Sequence, residues 1–214
     1  MISAGAAAGV ATIALVLVLT PGPNMMYLVS RSVTQGRRAG LVSLGGVALG
    51  FLVYLAAATA GITAVFAAVP ELYLAVKMAG ALYLAWLAWL ALRSGGKSLF
   101  TPADLPRDST LRLFAMGLLT NLLNPKIAIL YVALIPQFLD QDAGRLWAQG
   151  LALGAIQIGV ALSVNGLIVL AAGSIAGFFA ARPIWLRAQR FVMGAVLGSI
   201  AVLLATDRAR PVAV

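Results

Sequence analysis

The stretch AGAAAGVATIALVLVLTPGPNMMYLVS, residues 4–30, is apolar except at one interior point, Thr20-Pro21-Gly22-Pro23-Asn24. No charged residue interrupts it. A helix needs about 20 apolar residues to cross the hydrocarbon of a bilayer, so this run is long enough to span. No Lys or Arg precedes it, and the run continues past Pro21, so it reads as a retained first span rather than a cleaved signal. Two prolines around a glycine imply a break in that helix, because proline removes a backbone donor and clashes with the preceding turn. In lipid the freed backbone groups are tolerated only against protein or a wet cavity.

Five further runs have the same character. The six expected spans cover Ala4 to Ser30, Gly40 to Ile62, Leu72 to Leu92, Leu111 to Gln137, Trp147 to Gly173 and Arg187 to Ala205. Composition agrees with lipid as the outer solvent. Of 214 residues, 62% are hydrophobic and only 10% charged, where a soluble domain carries roughly 25% charged residues. The mean hydropathy is +1.01. The fold class expected is an all-α integral membrane protein of one domain.

Charge placement gives an orientation. Ten of the fifteen basic residues fall in the connections between spans one and two, three and four, and five and six. The opposite connections carry Glu71, Asp140, Asp142 and Arg145. Basic loops stay in the cytoplasm, so both termini are expected outside. The net charge of +9 therefore reports topology, and no cluster points to nucleic acid. There is no Cys and no His, which excludes disulfides, thiol chemistry and Cys/His metal sites. No cofactor is expected.

The fourth span carries a second proline site, Asn121-Leu122-Leu123-Asn124-Pro125-Lys126. Further pairs keep the same order in both halves: Gly45 and Gly50 against Gly154 and Gly159, then Gly80-Ala81 against Gly194-Ala195. The first repeat is expected over about 1–93, a cytoplasmic loop over about 94–110 and the second repeat over about 111–214. Three spans per half put the second half upside down, an inverted-topology repeat of the kind found in secondary transporters. Helices one and four are then broken at corresponding depths.

After each break a half-helix starts. Thr20 or Gly22 can cap the first; Asn124 can cap the second with Pro125 at its first position. The N–H ends then face the break and suit an anion such as a carboxylate. Lys126 lies among apolar neighbours near the middle of span four. A central lysine costs at least about 2.5 kcal/mol on insertion scales and should face the bundle interior. The expected substrate-binding set is Pro21, Gly22, Pro23, Asn24, Asn121, Asn124, Pro125 and Lys126. The competing structural readings are proline kinks serving packing alone and a snorkelling Lys126. Gln157 and Asn165, eight apart on one face of span five, read as interhelical hydrogen-bonding residues. Trp86, Trp89, Trp147 and Trp185 read as interface or packing aromatics.

These pieces resemble the LysE/RhtB family of bacterial amino-acid exporters. The resemblance rests on Pro21-Gly22-Pro23-Asn24, on Arg37-Arg38-Ala39-Gly40-Leu41, on the run from Lys77 to Leu84, and on the run from Gly117 to Lys126. It covers nearly the whole chain. It implies a multi-pass plasma-membrane exporter of amino acids, proton-linked, with importance carried by Gly22, Pro23, Asn124, Pro125 and Lys126. Asp, Glu and His are absent from the span interiors, so proton coupling has three readings: through Asp140, through Lys126, or none. The same absence favours neutral or zwitterionic substrates. The partners expected are a small-molecule substrate and membrane lipid; a homo-oligomer is compatible with the pattern. The alternatives are an exporter of another small solute, a small channel, or a membrane enzyme, for which no catalytic cluster is visible.

Overall fold

The protein is described here from a computed structural model, which covers residues 2–20, 22–68, 107–140 and 142–181, together with single helical positions between 78 and 92 and between 184 and 206. All regular structure among the described residues is helical. Six α-helices are bounded: α1 (Ala4–Leu19), α2 (Pro23–Gln35), α3 (Arg37–Ala68), α4 (Thr110–Leu122), α5 (Pro125–Ile129) and α6 (Leu146–Ala181). A π-turn over Leu130–Leu134 and a 3-10 turn over Ile135–Phe138 continue α5.

Local chemistry sets the helix ends. The Ser3 hydroxyl accepts from the Ala6 amide and starts α1. Ser109 does the same for α4 through the Arg112 amide. Asn124 caps α5, its side chain accepting from the Lys126 amide at 3.1 Å with Pro125 at the first position; a proline there forfeits no helical hydrogen bond. Gly22 caps α2 without a side chain, with Pro23 following. At the other end of α2, Gly36 has φ +88°, a conformation that a Cβ penalises. It lets α3 begin one residue later.

Among the described residues, two helical segments are long and apolar enough to cross a membrane on their own, Arg37–Gly61 in α3 and Leu146–Ser174 in α6. The pair α1 and α2 qualifies only if joined, bent by 54° between Leu19 and Pro23. The pair made of α4 and the Pro125–Phe138 segment qualifies likewise, bent by 50°. The outer surface carries exposed Leu41, Leu52, Leu111, Leu123 and Leu167, the side chains a hydrocarbon solvent requires. Trp86, Trp89 and Trp147 are also exposed; Trp185 lies outside the described residues. So do most of the expected third and sixth spans and positions 94–106 of the expected loop.

Close packing rests on small residues, as in other membrane bundles. A Cβ on Gly46 of α3 would run into the Phe114 carbonyl oxygen of α4, and one on Gly117 of α4 into the Ser43 carbonyl of α3. These two backbones therefore touch. Gly154 of α6 abuts Leu55 of α3, and Gly9 of α1 abuts the Phe138 ring. Around these contacts Leu28, Val47, Phe51, Tyr131, Leu153 and Val169 form one buried core. Within it the Tyr131 hydroxyl donates to Gln157 Oε1 at 2.6 Å, and the Tyr131 ring stacks on Tyr54 at 5.6 Å. The core draws on α2, α3, α6 and the π-turn, and it walls the site described next.

Candidate functional site

Thr20 closes α1. Its amide donates to the Val16 carbonyl at 3.0 Å and its hydroxyl to the same oxygen at 2.8 Å. The carbonyls of Leu17 and Thr20 are left at the helix end with no intrahelical partner, since the last four C=O groups of any helix lack one. Lys126 supplies the partner. From the first turn of α5 its Nζ donates to Leu17 O at 2.7 Å and to Thr20 O at 2.9 Å. The ammonium thus sits at the negative end of the α1 dipole. Lys126 is only 6% exposed. A Cβ placed on Gly22 would come within 2.9 Å of Nζ, so the missing side chain at Gly22 is what lets the ammonium reach across.

An ammonium has three donors, and two are used here. Beside it lies a narrow cleft with a cavity volume of about 20 Å³, room for a single water in this conformation. Its polar lining is Asn24, Asn124, Lys126, Gln157 and Asn165, and Phe51, Met25 and Leu130 are among its apolar walls. Three lining amides each carry one buried atom without a hydrogen-bond partner: Asn24 Oδ1, Asn124 Nδ2 and Asn165 Oδ1. Buried polar groups are nearly always paired. Three orphans around a lysine mark a place where a polar ligand or ordered water belongs.

The expected binding residues divide. Gly22, Asn24, Asn124 and Lys126 meet at the cleft. Pro23 and Pro125 are exposed and stand at the first positions of α2 and α5. Asn121 is buried against α3, where a Cβ on Gly50 would lie 2.7 Å from its Oδ1, and it is not part of the cleft wall. Pro21 lies outside the described residues. Gln157 keeps the interhelical role expected of it through Tyr131. Asn165 differs: its Oδ1 has no helix partner and lines the cleft. The signal available for it was a second amide on the same apolar helix face as Gln157.

A second polar group lies at the far end of α2. Asp108 Oδ2 accepts from Arg31 and, at 2.9 Å, from Gln35 Nε2; the Asp108 amide donates back to Gln35 Oε1 at 2.8 Å. Arg112 of α4 adds an ion pair at 3.2 Å, and the Tyr27 hydroxyl donates to the Leu113 carbonyl at 2.9 Å. The Gln35 hydrogen bond, then the charges of Arg31 and Arg112, hold the Asp108 carboxyl below its usual range against its partial desolvation. At the opposite end Asp140 is exposed, and its Oδ1 accepts from the amides of Asp142 and Ala143. It holds a surface turn, away from the cleft.

The family model for LysE type translocators matches residues 15–208. The chain belongs to that family. The family's description is that of translocators. Among its relatives, the leucine efflux protein of Klebsiella pneumoniae is 29% identical over 137 residues, covering 61% of each chain. The threonine efflux protein of Escherichia coli K12 is 28% identical over 138 residues, covering 63% of this chain and 67% of that protein. An uncharacterized membrane protein of Escherichia coli K12, YahN, is 28% identical over 188 residues, covering 86% of this chain and 82% of its own length. The match spans about three-fifths of the leucine efflux protein. No solved structure matches.

Proposed function

We propose that this LysE-type protein exports amino acids, or close derivatives, across the bacterial plasma membrane as a secondary carrier. The observation that carries the reading is Lys126. A buried ammonium near mid-span is expensive, and this one joins the start of α5 to the end of α1 beside a cleft lined by three orphaned amides. The efflux activities of the leucine and threonine relatives supply the solute class and the direction.

In this reading each bent pair is one broken span. The halves, about 1–93 and 111–214 around a cytoplasmic loop at 94–110, are inverted repeats, with both termini outside. The substrate carboxylate takes the free donor of Lys126 and the Asn124 Nδ2. Rocking of one half against the other then exposes the cleft to each side in turn. The Asp108 cluster ties α2 to α4 and is the inner closure that must part when the cleft faces the cytoplasm. With no carboxylate in the cleft lining, a proton carried with the substrate has Lys126 as its candidate site. Lipid is the surrounding partner.

The test is efflux of labelled amino acids from preloaded proteoliposomes, with and without an imposed pH gradient. Saturable efflux of at least one amino acid is expected, and acceleration by the gradient would establish proton coupling. Silence across the whole panel from correctly inserted protein would remove amino-acid export.

A further inference from the structure

We infer that Asn24 and Asn165 form an ammonium-binding subsite, so that the cleft takes free α-amino acids with a primary amine and an uncharged side chain. The inference rests on the reading of the cleft as the substrate site and narrows its substrate class.

Three observations support it. First, Asn24 comes from α2 and Asn165 from α6, and both are more than nine-tenths buried with Oδ1 unpartnered. Their neighbours hold the two helices together at this level: Met25 and Val29 pack with Ile168 and Val164. Two amide side chains are therefore held on a pair of mutually packed helices, and both line one cleft, where each can present its oxygen as an acceptor. Second, the donors of the same cleft come from a different quarter. Asn124 Nδ2 is orphaned and Lys126 has a third N–H, both at the start of α5. Donors on one element and acceptors on two others match the two poles of a zwitterion, whose carboxylate only accepts and whose ammonium only donates.

Third, the charges balance for one ligand class. The cleft lining holds one cation, Lys126, and no Asp or Glu. A zwitterion with a neutral side chain brings one carboxylate for the lysine, and its ammonium is received by neutral oxygens that strengthen when the donor is charged. A lysine-like substrate would leave a second cation with no acid to meet it. An acidic substrate would bring a second carboxylate with no second cation. Either would leave a desolvated charge unpaired. Met25, Phe51 and Leu130 offer an apolar wall to the remaining side chain.

The experiment measures binding directly and transport in parallel. Full-length protein in nanodiscs is titrated calorimetrically with the neutral amino acids and with their N-acetyl derivatives, which keep the carboxylate and lose the ammonium. The same pairs are run in proteoliposome efflux. The expected result is binding of at least one free amino acid, at least tenfold tighter than its N-acetyl form. Asn165→Leu should weaken the free form about tenfold and leave the N-acetyl form unchanged, the loss of one hydrogen bond to a charged donor. Asn165→Asp keeps the shape and an acceptor, and should hold or tighten the free amine. Equal binding of free and acetylated forms overturns the subsite even if efflux persists. Discrimination for the amine without efflux keeps the subsite and removes export. No binding of any free neutral amino acid, or equal weakening of both forms by Asn165→Asp, overturns it as well.

Discussion

Replacing Lys126 with Met removes the ammonium and keeps a stem of similar shape. Two hydrogen bonds from a charged donor, to Leu17 O at 2.7 Å and Thr20 O at 2.9 Å, disappear. Each contributes about 1.5–3 kcal/mol net. Against this, the buried charge costs about 2.5–3.5 kcal/mol at the centre of a span. The two bonds together contribute about 3–6 kcal/mol, so the terms largely offset and the folded protein should lose no more than about 3.5 kcal/mol. Transport is not protected by that cancellation. A charge-assisted contact to the substrate carboxylate of about 3 kcal/mol corresponds to a hundredfold or greater loss of affinity. The assays are thermal unfolding in detergent and substrate counterflow in proteoliposomes, on the same preparation. A well-folded Lys126→Met protein that fails in counterflow agrees with the site proposed. Counterflow within about threefold of wild type would refute it. A collapse of stability together with transport would make Lys126 a structural latch between α1 and α5 and nothing more.

Gly22→Ala sets a Cβ 2.9 Å from Lys126 Nζ, tighter than ordinary contact but against the end of a flexible chain. Counterflow should fall severalfold while the melting point moves little. Gly46→Ala pushes against backbone, at the Phe114 carbonyl and the Leu118 amide. It should destabilise the bundle by about 1–3 kcal/mol, the usual cost of overpacking, or more, read as a lower unfolding midpoint. Asp108 has a lowered carboxyl pKa because it is hydrogen-bonded by Gln35 and flanked by Arg31 and Arg112. The folded state therefore favours the charged form, and the stabilisation is present above the ordinary carboxylate range and lost as pH falls through the lowered value. Melting midpoints of wild type should drop on acidification below about pH 4, and Asp108→Asn should flatten that part of the profile.

The helices α3 and α6 were legible because each depends on a local property, an apolar run of spanning length, and α1 and α4 were legible as the first parts of apolar runs interrupted at a proline site. The helix start at Asn124-Pro125 was equally local: a capping side chain followed by a residue with no N–H to lose. What the sequence concealed was where those ends point. A helix interruption exposes a carbonyl end as well as an amide end, and the residue pattern draws the eye to the amide end, as a cradle for anions. In the structure the first group to answer the interruption is the Lys126 ammonium, on the carbonyls of Leu17 and Thr20. That pairing joins residues more than a hundred positions apart, which no periodicity encodes. Asn121 illustrates the converse. It sits in the same motif as Asn124, yet one turn of helix carries it to the face packed on Gly50. Asn165 was the least legible, because a lone amide in an apolar helix has two uses, bonding a neighbour or facing a cleft, and only the neighbours decide between them.

The account stands most directly on whether the cleft beside Lys126 opens to both sides of the membrane and holds an amino acid. The chain has no native cysteine, so Ala161→Cys, at a buried position in the cleft lining, gives a single reporter. Its labelling by a membrane-impermeant thiol reagent would be followed in vesicles of both orientations, with and without amino acid. The account predicts labelling from either side, slowed saturably by the transported amino acid. Labelling confined to one side under every condition, or labelling that no amino acid slows, would contradict it.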